Sequence, residues 1–202
     1  MTLLVQITDT HILPSGDMLY GNTDTAAHLA ESIRQINAMR PKPGVVLITG
    51  DLVEKPDRAC YEYFIDIIGE LEMPTYVIPG NHDDPYVMRE AFAGTSHFPA
   101  LDDTFQFVIE GFPFRILALN SHCEGTELPE FDHRRLSWLQ YQLSRSDELV
   151  LVALHHYIDG EFLSGSNSWP ANVEEKRIDK ESCLSWDELK KSMMGTRYQA
   201  GD

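Results

Sequence analysis

Three short apolar runs, separated by two stretches of helical periodicity, constrain this chain more than any other feature. Leu3-Leu4-Val5-Gln6-Ile7, Gly44-Val45-Val46-Leu47-Ile48 and Thr75-Tyr76-Val77-Ile78 read as strands. Between the first two, Ala26, Leu29, Ala30, Ile33 and Ile36 step by three and four residues, as one buried helix face requires. Thr23 and Asp24 are suitable N-caps for that helix, which runs to about Met39 before Pro41 and Pro43 stop it. Between the second and third strands, Tyr61, Phe64, Ile65, Ile68 and Leu71 repeat the pattern over a helix from about Asp57 to Leu71. The order β-α-β-α-β predicts an α/β fold whose parallel sheet has right-handed crossovers. The run at 44–48 has no polar side chain, which predicts a strand buried on both faces.

The second half of the chain changes pattern. A short helix is predicted near Pro85 to Phe92. A hairpin follows, with Phe105 to Glu110 and Phe114 to Leu119 folding around Gly111-Phe112-Pro113. Leu136, Leu139 and Leu143 mark another helix, and Leu149 to Leu154 reads as a buried strand. Beyond Tyr157, turn formers and charges show little periodicity, so residues 158–202 are expected to be a loop-rich tail. Ser185-x-x-Glu188 is a capping-box pattern that predicts a short helix near 186–194.

The strands matter for what stands at their ends. The first closes in Asp9-Thr10-His11, the second in Gly50-Asp51, the third in Gly80-Asn81-His82-Asp83, and the last in His155-His156. Each alone has an ordinary explanation: Asp9 as a cap, Gly50-Asp51 as a strand-to-turn junction, Gly80 to Asp84 as a polar turn. Together, on parallel neighbours, they are expected to converge at one edge of a sheet, where open α/β sheets place their sites. Carboxylate, imidazole and amide oxygen in one cluster suit a first-row divalent ion, such as Mn, Fe, Co or Zn, better than Mg or Ca. Asp9 and His11 can turn toward one ion, Asp51 can bridge two through its two oxygens, and Asn81 and His155 can serve the second. Two divalent ions, offset by Asp9, Asp51 and a hydroxide, leave a single positive charge that matches a phosphodiester monoanion. Such ions bring the pKa of a bound water down to about 7 in favourable cases. His82, next to a ligand, is placed to give a proton to the leaving group or a phosphoryl oxygen. His28, His97, His122 and His133 are read as ordinary helix or loop histidines.

Charge narrows the partners. The formal net charge is −16 and the pI about 4.7. That disfavours a nucleic-acid polymer or an anionic membrane, which need a basic face, but not a small phosphate compound met by bound metal. Cys60, Cys123 and Cys183 are odd in number and contain no C-x-x-C pair, so they read as reduced thiols. The N-terminus has no basic segment or long apolar run of a signal peptide, and a cytoplasmic protein is expected. A homo-oligomer is compatible with the sequence.

The four strand-end blocks resemble those of the calcineurin-like metallophosphoesterases, whose pattern is D-x-H, G-D, G-N-H-D/E, a histidine often in H-H-P-P, and G-H-x-H. Ile7-Thr8-Asp9-Thr10-His11 and Leu19-Tyr20-Gly21-Asn22 are similar to the bacterial branch of cyclic-nucleotide and glycerophosphodiester phosphodiesterases. The resemblance covers about residues 3–157. It implies an α/β/β/α sandwich and hydrolysis of a small phosphodiester at a two-metal site. It also implies a domain over 1–157, incomplete at its C-terminal side, with 158–202 as a divergent tail. By the same resemblance, Asp9, His11 and Asp51 hold the first ion, and Asp51, Asn81 and His155 the second. His82 is then the catalytic histidine, and Asn81, His82, His156 and Tyr20 face the substrate. The chain departs from the pattern after His156: no further histidine occurs, and Tyr157-Ile158 stands where Pro-Pro is usual. In the family, G-H-x-H gives each ion one more histidine, so its absence puts occupancy of the second site in doubt. Two other expectations therefore stand beside a working diesterase. One is a shortened or degenerate member that binds metal or phosphate weakly, and the other is a phosphomonoesterase of the same superfamily.

Overall fold

Both parallel crossovers form as the alternation predicts. In the computed structural model, which describes residues 2–124, 131–145 and 149–156, β1 (Leu4–Ile7), β2 (Val45–Thr49) and β3 (Thr75–Ile78) make one parallel sheet with β2 in the middle. All five residues of β2 are buried, in keeping with its unbroken apolar run. The connections are α1 (Thr25–Ala38) and α2 (Arg58–Ile68), and α3 (Pro85–Ala91) follows β3. Each opens on an aspartate: Asp24 accepts from the amide of Ala27, Asp57 from Cys60, and Asp84 from Tyr86 and Val87. A cap of this kind contributes about 1 kcal/mol. α2 ends at Ile68, short of Leu71, because Gly69 takes the C-cap.

A second sheet is built from β4 (Phe107–Ile109), β5 (Arg115–Ala118) and β6 (Val150–Ala153). β4 and β5 form the predicted antiparallel hairpin, turning where Gly111 holds φ at +93°. β6 then pairs with β5 in parallel. The two faces of this sheet go to different partners, as the period of two along a strand requires. Phe107, Ile109, Ile116, Ala118 and Ala153 join the core of the first sheet and α1 to α3. Leu117, Leu119, Val108, Val150 and Val152 instead pack on α4 (His133–Ser144), through Leu136 and Leu139. The buried Arg115 fastens that helix, donating to the Gln142 carbonyl at 3.0 Å and to Gln142 Oε1 at 2.8 Å. Helices, sheet, sheet and helix thus stack in the expected α/β/β/α order.

Two expectations need correcting. The last strand does not join the first sheet, so the four strand ends do not share one sheet edge; the fourth comes from the facing sheet. Nor is that strand buried throughout, since Leu149 is 59% and Leu151 39% exposed. Among the described residues β6 pairs only with β5, so it lies at an edge rather than between two neighbours. The loop-rich tail at 158–202 and its helix near 186–194 lie outside the described residues. Among the described residues, no helix is long and apolar enough to cross a membrane.

Candidate metal centre

Pairing between the first two strands does not stop where β1 and β2 end. The amides of Asp9, His11 and Ile12 donate to the carbonyls of Gly50, Asp51 and Leu52 at 3.1, 2.9 and 3.0 Å. Glu54 returns a bond to the Ile12 carbonyl at 3.0 Å. Within this paired segment Asp9, His11 and Asp51 hold left-handed backbones, with φ of +56°, +41° and +49°. Such a backbone costs roughly 1–2 kcal/mol at each non-glycine residue and persists only where surrounding bonds enforce it. Here it gathers Asp9 and His11 around Asp51.

Asp51 is the centre of the cluster and is only 4% exposed. Its Oδ2 lies 3.6 Å from His11 Nε2, and its Oδ1 lies 3.5 Å from His155 Nε2. Asp9 Oδ1 stands 3.9 Å from the same His11 nitrogen, and Asn81 Oδ1 3.1 Å from His155 Nε2. Two sets of potential ligand atoms each gather within 4.8 Å: His11, Asp51 and His82, and Asp9, Asp51 and His155. Both contain Asp51, as a bridging role requires. The grouping differs from the expected one in placing His82 beside His11 and in drawing the exposed Asp9 toward His155.

The histidines are oriented from behind. His11 Nδ1 meets Glu54 Oε2 at 2.9 Å, His82 Nδ1 the Glu54 carbonyl at 3.1 Å, and His155 Nδ1 the Thr49 carbonyl at 2.8 Å. A carboxylate or carbonyl oxygen only accepts, so each Nδ1 carries a proton, and each ring in its neutral form presents a lone pair at Nε2. In that neutral form, the lone pairs of His11 and His155 converge with the oxygens of Asp51, Asp9 and Asn81. Imidazole nitrogens backed by oxygen acceptors in this way are typical of metal-ligating histidines, and the donor set fits a divalent ion.

Two glycines make room for the cluster. A Cβ on Gly80 would fall on the Asp51 amide nitrogen and carboxylate, and one on Gly50 would meet the His155 ring at 2.5 Å. Gly50 also holds φ at +88°.

Charge in the cluster follows from burial and pairing. Burial pushes the Asp51 carboxyl up, but hydrogen bonds from His155 and the His82 amide, with both imidazole charges, bring it below the usual range. Burial pushes His155 down, and the Asp51 hydrogen bond and charge more than offset it, so the net direction is up. Behind the cluster, Asp83 is 2% exposed and ties the loop after β2 to the loop after β3. Its Oδ2 accepts from the amides of Leu52 and Gly80 at 3.1 and 2.9 Å, and its Oδ1 from the Tyr61 hydroxyl at 3.1 Å. Burial and the Asp51 charge push it up to about 6 against those donors. Replacing Asp83 with alanine would strand two amides and a hydroxyl. At roughly 1–3 kcal/mol per unsatisfied buried donor, denaturant unfolding should show a loss of about 3 kcal/mol or more.

The structure thus brings together Asp9, His11, Asp51, Asn81, His82 and His155. His156 instead turns to Ser121, at 2.7 Å between its Nδ1 and the hydroxyl oxygen. Tyr20 is 88% exposed in the loop closed by Leu19 and Thr23. Glu54 and Asp83 are the residues that sequence reasoning passed over. For Glu54 the available signal was a carboxylate three positions beyond a strand-end aspartate; Asp83 was visible only as part of a polar turn.

A family model described as calcineurin-like phosphoesterase matches residues 2–182. A probable glycerophosphodiester phosphodiesterase GpdQ of Arcobacter nitrofigilis is 36% identical, over 76% of this chain and 56% of its own length. A glycerophosphodiester phosphodiesterase GpdQ of Enterobacter lignolyticus is 31% identical, over 76% and 56%. The 3',5'-cyclic adenosine monophosphate phosphodiesterase CpdA of Escherichia coli is 28% identical, over 76% and 54%. The chain thus spans about half the length of the curated relatives it matches. Among solved structures, the yellow lupin purple acid phosphatase PPD1 superposes with a TM-score of 0.54 at 18% identity, over 86% of this chain and 34% of that one, a likeness of fold.

Proposed function

Because the chain belongs to the calcineurin-like phosphoesterase family, we propose that it acts as a metal-dependent hydrolase of small phosphodiesters, of the cyclic-nucleotide or glycerophosphodiester type. The observation that supports this most is the placement of Asp51, one buried carboxylate whose two oxygens face two different histidine nitrogens. In this reading Asp9, His11 and Asp51 hold one divalent ion, and Asp51, Asn81 and His155 hold a second, drawn from Mn, Fe, Co or Zn. Ions held there would supply Lewis acidity toward the phosphoryl oxygens and would make hydroxide available from water near neutral pH.

The chain's own residues do the rest. The backbone bonds between 9–12 and 50–54 hold Asp9 and His11 against Asp51 before any substrate arrives. His82, its Nδ1–H given to the Glu54 carbonyl, keeps Nε2 for chemistry; as an imidazolium it donates that Nε2–H to the leaving oxygen. The Asn81 amide adds a neutral oxygen, which leaves the site positive toward a monoanionic diester. Tyr20 and His156 are the candidate contacts to the organic part of the substrate.

The test is hydrolysis of bis(4-nitrophenyl) phosphate with Mn, Co, Fe and Zn supplied in turn. Turnover that needs one of these ions and stops with a chelator is expected, with the diester cleaved faster than 4-nitrophenyl phosphate. No turnover with any of the four would overturn the active reading, and preference for the monoester would assign phosphomonoester hydrolysis instead. A second reading is that the scaffold binds an ion or phosphate too weakly for turnover. Two tightly held ions per chain in elemental analysis would rule it out.

A further inference from the structure

We infer that Glu54 is a positioning residue that sets both the metal-facing ring of His11 and the proton-donating ring of His82, using its side chain for one and its backbone for the other. Its carboxylate Oε2 accepts from His11 Nδ1–H at 2.9 Å, and its main-chain carbonyl accepts from His82 Nδ1–H at 3.1 Å. The same Oε2 lies 3.6 Å from His82 Nδ1, beyond hydrogen-bond reach. The two rings meet edge to face with centroids 4.8 Å apart, so neither turns without moving the other. Glu54 is itself fixed, because its amide donates to the Ile12 carbonyl at the end of the extended pairing. One residue therefore holds a candidate ligand and the candidate acid in a common frame. A neutral imidazole with Nδ1–H so engaged must offer Nε2 as a lone pair, which is the form a divalent ion needs.

The catalytic meaning of this arrangement rests on the metal reading above, but the ring orientation does not, so the two are tested separately. The full chain, freed of metal and labelled with nitrogen-15 histidine, is compared as wild type, Glu54→Ala and Glu54→Gln. Imidazole nitrogen shifts report which ring nitrogen is protonated, and calorimetry with Mn2+ reports affinity. In the wild type both His11 and His82 should carry the proton on Nδ1. In Glu54→Ala, His11 should lose that preference while His82 keeps it, because its acceptor is main chain. Mn2+ affinity should fall about 10- to 100-fold, the range for loss of a partner behind a ligand. Glu54→Gln still offers an acceptor oxygen, and should restore the His11 proton position and much of the affinity. Unchanged His11 protonation in Glu54→Ala would overturn the inference. So would loss of the Nδ1 proton from both rings together, which would mean a general loosening of the site. Wild-type protein that takes up no Mn2+ while its rings behave as stated would defeat the metal reading and leave the positioning role intact.

Discussion

Asp51→Ala should lower diesterase turnover by more than about 100-fold and remove tight binding of both ions, with the fold retained. The size follows from position. Loss of a group behind a ligand typically costs 10- to 100-fold in affinity or activity, and Asp51 stands in front, shared by both ligand sets. Its removal also strands the His82 amide, which donates to Asp51 Oδ1 at 2.9 Å, so the loop after β3 loses an anchor together with its ion. Asp51→Asn separates the two effects. The amide oxygen still accepts from His82, but the negative charge and one of the two acceptor oxygens are gone. Turnover should therefore fall nearly as far in Asp51→Asn, while stability in denaturant stays closer to wild type. Measured kcat/KM with each metal and circular dichroism on the same samples check this. An Asp51→Asn variant with near wild-type turnover would remove the bridging role.

Gly80→Ala should be the most damaging change that adds a single methyl group. The added carbon would lie on the Asp51 backbone nitrogen as well as its carboxylate, and backbone cannot swing aside as a long side chain can. Overpacking of this kind costs about 1–3 kcal/mol, occasionally more. For a chain of this size each kcal/mol lowers Tm by roughly 2–4 °C, so thermal unfolding should drop by several degrees. Metal affinity should suffer further, because relief of the clash moves Asp51 or Asn81. Gly16 supplies the control: its φ is positive, +94°, but nothing lies within 4 Å of a Cβ there. Gly16→Ala should show only the backbone cost of roughly 1–2 kcal/mol, with metal binding untouched. Equal metal affinity in Gly80→Ala and wild type would contradict the tight packing of the loops after β2 and β3.

Much of this architecture could be read from the chain because the deciding interactions are local. Apolar spacing placed α1, α2 and α4, and the aspartates at 24, 57 and 84 sit where the helices begin. Asp9, His11, Asp51, Asn81, His82 and His155 were visible because each closes a strand. What was not visible depends on contacts distant in sequence. The run Leu149 to Leu154 has the composition of a buried strand. Its membership of the second sheet is set by pairing with β5, and its exposed Leu151 by lying at that sheet's edge among the described residues. Glu54 acquires a role only when residues 9–12 and 50–54 pair side by side beyond the ends of β1 and β2. Asp83 has the look of a turn residue, and only tertiary packing shows that it bridges Leu52, Gly80 and Tyr61. The left-handed backbones of Asp9, His11 and Asp51 likewise come from non-local bonds that override each residue's own preference.

We propose that the ends of β1, β2, β3 and β6 form a divalent-metal site that serves phosphodiester hydrolysis. Metal content and bis(4-nitrophenyl) phosphate turnover, measured on one preparation as Mn2+ is titrated into metal-free protein, test it most directly. Saturable uptake of at least one ion per chain is expected, with turnover rising in step with the ion bound. A folded chain that takes up no ion, or turnover indifferent to metal content, would contradict it.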